Sequence, residues 1–319
     1  MSPYKRALTG VSVGIAISES EDSGRLGFGS KEVNQVTVDF SRELVGQGAS
    51  VVFGHDWRPD GVMHAVATAA ASAQSLVEPS EPAEPTEPPP SAATPTVRRR
   101  RPKQLLRNYL PWPSPPSLSR DEREQLSASL YIEAVPLPPS LKAYETVTLP
   151  GPPEYPYLVA RALTALRHRL VEETDARVCI GGKEKKYTGR YPGIVEEAWF
   201  AISVRQPLYL VGAFGGATQW VINALEGGQP STFYRDNEML NLYTQHKLDN
   251  APESAADREI APARVWSEFQ SLKTAGLAEL NGLSIDENRR LFASSAIPTA
   301  IELVLTGLGR LRRAAKLGG

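Results

Sequence analysis

Glu196 and Glu197 open an apolar helical pattern that follows a glycine loop, which makes them the residues of this chain best placed to do chemistry. A carboxylate there can act as a general base that activates water. It can equally accept a pair of hydroxyls in a binding site. Adjacent residues of a helix point about 100° apart, so the two cannot both face one small group. With Gly193 as N-cap, Glu196 falls at N3, where reaching back to the cap N–H is worth about 0.5–1 kcal/mol. Glu196 is therefore assigned to structure and Glu197 to function. The loop itself suits an anion. Gly181 and Gly182 close the apolar run Ala176–Ile180, Lys183 follows, and Gly193 precedes the helix, so backbone N–H groups and the helix dipole converge on a site for phosphate.

Three other stretches supply candidates of the same kind. Pro207–Val211 is an apolar strand run that ends in Gly212-Ala213-Phe214-Gly215-Gly216, a second glycine loop opening a helix. Phe214 is assigned to the core, with stacking on a base as its functional alternative, and Gly215 and Gly216 are ligand candidates. The first strand, Val11–Ile17, contains Gly14 and leads into Ser18 and Glu19 in a polar loop running to Ser30, long enough to cover a ligand. The strand Ala49–Phe53 ends in Gly54-His55-Asp56, again at a carboxyl end, where open α/β sheets place their ligands. Cys179 is the one cysteine. It reads as a buried structural thiol and rules out a disulfide within the chain and a cysteine metal cluster.

The elements that must position these residues alternate strand and helix. Val33, Val36, Phe40, Leu44 and Val45 keep helical spacing, and an alanine-rich helix is expected over 62–76, a short one over 119–127 and a long one over Tyr157–Thr174. Leu158, Ala162, Leu163, Leu166 and Leu170 form the inner face of that long helix. Arg161, Arg167, His168 and Arg169 are assigned mostly to its solvent face. Leu130–Val135 is a further strand, and helices are expected over 263–280, 284–292 and 298–308. The whole reads as α/β, a Rossmann-like doubly wound parallel sheet over residues 1–245, with a C-terminal helical extension over 246–319.

Residues 78–103 differ in composition. Their Glu-Pro repeats carry no apolar period, so the segment is expected to be a disordered, polyproline-II-prone linker. The basic cluster at the end of this segment and just beyond it, Arg98–Arg101 with Lys103 and Arg107, is read as solvated. A net charge of −1 argues against a general nucleic-acid role on electrostatic grounds. No run of about 18 apolar residues offers a membrane span, and the amino terminus lacks the apolar core of a signal peptide. A cytoplasmic protein with no membrane partner, no metal and no bound cofactor is expected. A docking scaffold, built on the proline-rich segment and the last helices, is the weaker alternative.

Three stretches together resemble the SLOG superfamily, a Rossmann-like group that includes LOG-type phosphoribohydrolases and nucleotide-sensing domains. They are the segment from Phe40 to Gly54 with Gly61-Val62-Met63, the Gly193-Ile194-Val195-Glu196-Glu197 run, and the order Gly181-Gly182-Lys183, Pro192–Glu197, Phe214–Gly216. The resemblance is nearest to SLOG modules beside TIR or Sir2 effectors in bacterial immunity, and it implies a ligand of the NAD or ADP-ribose class. By that resemblance Arg167 and Lys183 meet phosphates and Glu197 meets a ribose hydroxyl. It also implies a homo-oligomer, and a separate effector protein as partner. Ile194 stands where the LOG signature has its phosphate-binding threonine, which favours sensing over LOG-type turnover. The enzymatic alternative is an N-glycosidase or phosphoribohydrolase that uses Glu197 and Arg167.

Overall fold

The computed structural model describes residues 7–54, 57, 61–74, 104–113, 119–121, 124, 127, 129–145, 154–189, 191–228, 262–314 and 317. The segment 78–103, His55 and Asp56 lie outside them, as do residues 122, 123, 125 and 126 of the short helix expected over 119–127. Among the described residues, one all-parallel sheet is built from β1 (Ser12–Ser18), β2 (Ser50–Gly54), β3 (Leu106–Pro111), β4 (Leu130–Val135), β5 (Ala176–Gly181) and β6 (Leu208–Val211). Their order is β4-β3-β2-β1-β5-β6. Every neighbouring pair is parallel. The expected doubly wound α/β fold is therefore the fold found.

Helices cover both faces of the sheet. The loop after β1 contains α1 (Glu21–Arg25) and leads into α2 (Ser30–Gly46), and α3 (Val62–Gln74) follows β2. The helix α4 (Glu154–Glu172) feeds β5, α5 (Gly193–Ser203) joins β5 to β6, and α6 (Gly216–Leu225) leaves β6. A helical region follows: α7 (Pro262–Asn281), kinked at Lys273, then α8 (Ile285–Ala293) and α9 (Ile297–Arg313). Val33, Val36, Phe40 and Leu44 of α2 pack with Val13, Ile15, Val51, Phe53 and Val178 on one face, where Ala300, Val304 and Leu308 of α9 join them. The other face takes α5, α6 and α7 through Val195, Trp199, Trp220, Val221, Trp266 and Phe269. Asn281, at the end of α7, ties this region to β6: its side-chain amide donates to Leu208 O (2.9 Å), and its backbone carbonyl accepts from the Tyr209 hydroxyl (2.8 Å).

The faces differ in chemistry. The α2 side is mainly apolar, its buried Thr37 and Ser41 bonding carbonyls of their own helix, whereas the α4 side buries Ser12, Arg107 and Arg177. Arg107 corrects the sequence reading, which grouped it with a solvated basic cluster. It lies in β3 with no exposed surface, its Nη1 donating to Glu173 Oε2 (3.2 Å) and its Nη2 to Ser50 Oγ (2.9 Å) and Ser12 Oγ. A guanidinium with this many partners is tolerated where a bare charge is not. Arg161 and Arg167 correct it too, since both are buried at 8% exposure. Of the charges assigned to the solvent face of α4, His168 is exposed, while Arg169 is half-buried and pairs with Glu133 (3.2 Å) and Glu173 (2.9 Å).

Candidate functional site

From β1 the chain winds outward through β2, β3 and β4, then returns to place β5 on the opposite side of β1. The strand order reverses between β1 and β5, and the crevice beyond their carboxyl ends is where open α/β sheets bind ligands. Ser18 and Gly181 are register partners at this point. Gly181 and Gly182 have φ of 63° and 100°, and the Gly182 N–H donates to Ser18 O (2.8 Å). A Cβ on Gly181 would lie 2.6 Å from Ser18 O, and one on Gly182 would lie 2.7 Å from Ile194 Cδ1 and 3.1 Å from Ala217 Cβ. Both glycines are thus required by backbone conformation and by close packing.

The first glycine loop opens α5. Pro192, not Gly193, is the N-cap, and Glu196 N–H donates to Pro192 O (3.1 Å). Glu196 therefore sits at N4 rather than N3. It does not reach back to the cap; its buried carboxylate pairs with Arg167 and accepts from Thr164 Oγ1 (2.8 Å). The Arg167 guanidinium runs under the loop, and a Cβ on Gly189 or Gly193 would lie 2.6 Å from Nη1 or 2.8 Å from Nη2. Among the described residues, no side chain bonds the N–H groups of Gly193, Ile194 or Val195. The positive end of α5 is thus uncapped, with a buried cation behind it.

Glu197 faces a different arginine. Its Oε2 pairs with Arg177 Nη1. Arg177 is 1% exposed on β5, while the Glu197 side chain keeps 14% exposure. Gly14 makes room for that pair, since a Cβ there would lie 2.8 Å from Arg177 Nη2. Gly14 thus lies directly beneath the Arg177 guanidinium.

The second glycine loop is filled by the chain itself. Ser20 Oγ donates to Phe214 O (3.1 Å), and the Gly216 N–H donates to Asp22 Oδ2 (3.3 Å). Gly215 and Gly216 have φ of 64°; their would-be Cβ atoms lie 2.5 Å from Asp22 Cβ and 2.6 Å from Ser20 Cβ. Phe214 is buried against Phe28 with ring centroids 4.4 Å apart, its expected core role.

The remaining candidates fall at the rim or in the walls. Lys183 is exposed, while Glu19 is half-buried and accepts from Ser30 Oγ (2.6 Å). Gly54 lets α4 approach, its would-be Cβ 2.8 Å from Leu170 Cδ1. Burial, with Asp22 next, pushes the Glu184 carboxyl up. Burial also pushes the Cys179 thiol up, away from the reactive thiolate.

Sequence reasoning missed Arg177 and Asp22. A charged residue inside the apolar run Ala176–Ile180 was the available sign of the first. Asp22 carried no local sign, because its partner is 194 residues away. Among the described residues no group of three or more His, Cys, Asp or Glu could hold a metal ion, and no helix is long and apolar enough to cross a membrane. A family model described as SLOG cluster2 matches residues 7–291. No curated protein matches the chain.

Proposed function

The chain belongs to the SLOG cluster2 family, and from that premise we propose that it binds a nucleotide-derived ligand of the NAD or ADP-ribose class beyond β1 and β5. It does so as the sensing or regulatory part of a nucleotide-signalling system of the bacterial-immunity kind, acting on a separate effector protein. The observation that carries this reading is the uncapped start of α5 with the Arg167 guanidinium directly behind Gly193. The N–H groups of Gly193, Ile194 and Val195 take a phosphate, and Arg167 supplies counter-charge from below without leaving Glu196. Lys183, at the end of the Gly181-Gly182 turn, adds a second cation at the rim. Glu197 keeps Oε2 on Arg177 and offers Oε1 to ribose hydroxyls. Both glutamates are held as ion-paired carboxylates, which supports binding over proton transfer to a leaving base.

Incubation of the full chain with AMP, ATP, NAD, ADP-ribose and cyclic ADP-ribose, followed by thermal shift and chromatography, tests this. One ligand is expected to raise the Tm and return unchanged. Absence of saturable binding across the panel refutes the reading. Release of free base and a ribose phosphate, abolished by Glu197→Gln, makes the protein an N-glycosidase instead.

A further inference from the structure

The segment from Glu19 to Ser30 is built as a unit of its own. Its ends are clasped by the Ser30 Oγ to Glu19 Oε1 bond (2.6 Å), as in a compact surface loop whose termini lie side by side. Inside it the bonds close on the segment itself. Ser20 and Ser23 cap each other, Leu26 N–H reaches Asp22 O (2.9 Å), and Phe28 N–H reaches Ser23 O (2.7 Å). Gly27 turns the chain at φ 84°. Glu21, Gly24, Arg25, Leu26 and Gly27 face solvent, and Leu26 is 57% exposed.

The attachments to the rest of the molecule go to the loops that follow β5 and β6. Asp22 meets the Gly216 N–H, Ser20 meets Phe214 O, and Phe28 stacks on Phe214, all at the start of α6. Glu21 meets Lys185 (3.7 Å), just past the Gly181-Gly182 turn. The segment thus leaves β1 and lies across the carboxyl end of β5, touching the loops that follow β5 and β6.

We propose that Glu19–Ser30 is a lid over the switch-point crevice, hinged at the Glu19–Ser30 clasp and latched onto α6 by Asp22. A body bonded to itself, with little buried apolar surface and a polar latch, opens at far lower cost than the sheet beneath it. Gly215 and Gly216 are its seat, since any side chain there would hold the lid off. That the lid opens does not depend on the ligand; that its opening admits a nucleotide rests on the function proposed above.

Hydrogen–deuterium exchange of the full chain, read by peptide, tests the lid directly. Peptides covering 20–28 are expected to exchange much faster than those of β1 and β5. Asp22→Ala should speed them further by about tenfold, the scale of losing one helix cap, while the sheet is unchanged. Trypsin should then cut at Arg25 sooner in Asp22→Ala than in the unaltered protein. Phe28→Ala, which frees the aromatic side of the latch, should act in the same direction. Exchange of 20–28 in step with the sheet, or a uniform acceleration of the whole chain by Asp22→Ala, overturns the lid. ADP-ribose is the probe for gating: it should slow exchange of 20–28 and associate faster with Asp22→Ala. Saturable ADP-ribose binding with the same association rate in both proteins overturns the gating role. If no nucleotide of the panel binds while the exchange pattern is as expected, the nucleotide reading fails and the lid stands.

Discussion

The two glycine loops of this protein follow neighbouring parallel strands, open helices of similar length and read alike in sequence, yet they end in opposite states. At the start of α6 the chain delivers its own carboxylate: Asp22 accepts from the Gly216 N–H, and Ser20 and Phe28 complete the seat. At the start of α5 a cation arrives instead, as Arg167 passes beneath Gly189 and Gly193 and leaves the first-turn N–H groups unbonded among the described residues. A glycine loop opening a helix is therefore only a potential anion site. Which side chain packs on it decides whether the potential is spent internally or kept for a ligand.

The comparison can be broken most sharply at Glu196. Glu196→Ala removes the partner of a buried guanidinium and should cost about 3–5 kcal/mol in urea denaturation, while Asp22→Ala, which removes an anion at the other loop, should cost about 1 kcal/mol. Equal losses would mean that the two loops are held in the same way. The next test is steric. Gly216→Ala places a Cβ at φ 64° against backbone and Ser20, for an expected loss of about 3 kcal/mol. Gly193→Ala meets only side-chain atoms of Arg167 and no backbone, should cost about 1 kcal/mol, and should weaken nucleotide binding out of proportion to that loss. If Gly193→Ala proves as damaging as Gly216→Ala, the first loop is as closed as the second.

The last test is a control remote from both loops. Hydrogen bonds from Arg310, then from the Ser284 backbone, lower the Glu287 carboxyl to about 2. Because the folded value is depressed, the pair's contribution is complete above the ordinary carboxylate value near ~4.3 and fades as pH falls toward the folded one. For a pair this near the surface it amounts to about 1 kcal/mol. Glu287→Gln should remove it at pH 7 and flatten the acid limb of stability, with nucleotide binding untouched.

Most of the sheet was legible because buried parallel strands are apolar runs. Val11–Ile17, Ala49–Phe53, Ala176–Ile180 and Pro207–Val211 announce β1, β2, β5 and β6 in that way. β3 escaped because Arg107 and Asn108 interrupt it, and both are buried by polar partners rather than by apolar ones: Arg107 by Glu173 and two serines, Asn108 by the Trp57 indole (2.9 Å). The candidate site was legible as a set of glycines and carboxylates near strand ends. The pairing of Glu196 with Arg167 and of Glu197 with Arg177 was not, because helical spacing says which residues share a face and not which charge waits opposite them.

The order of residues alone determined the alternation of strand and helix, the positions of the glycine turns and the resemblance to the family, since each depends on neighbours within a few residues. Tertiary structure decided how those turns are used. Asp22 lies 194 residues from Gly216 and Gly14 lies 163 residues before Arg177, so the carboxylate that closes one loop and the space that admits one arginine exist only once the sheet has brought distant strands side by side. Burial then fixes the outcome, because a charge withdrawn from water must find a partner wherever the fold has placed one.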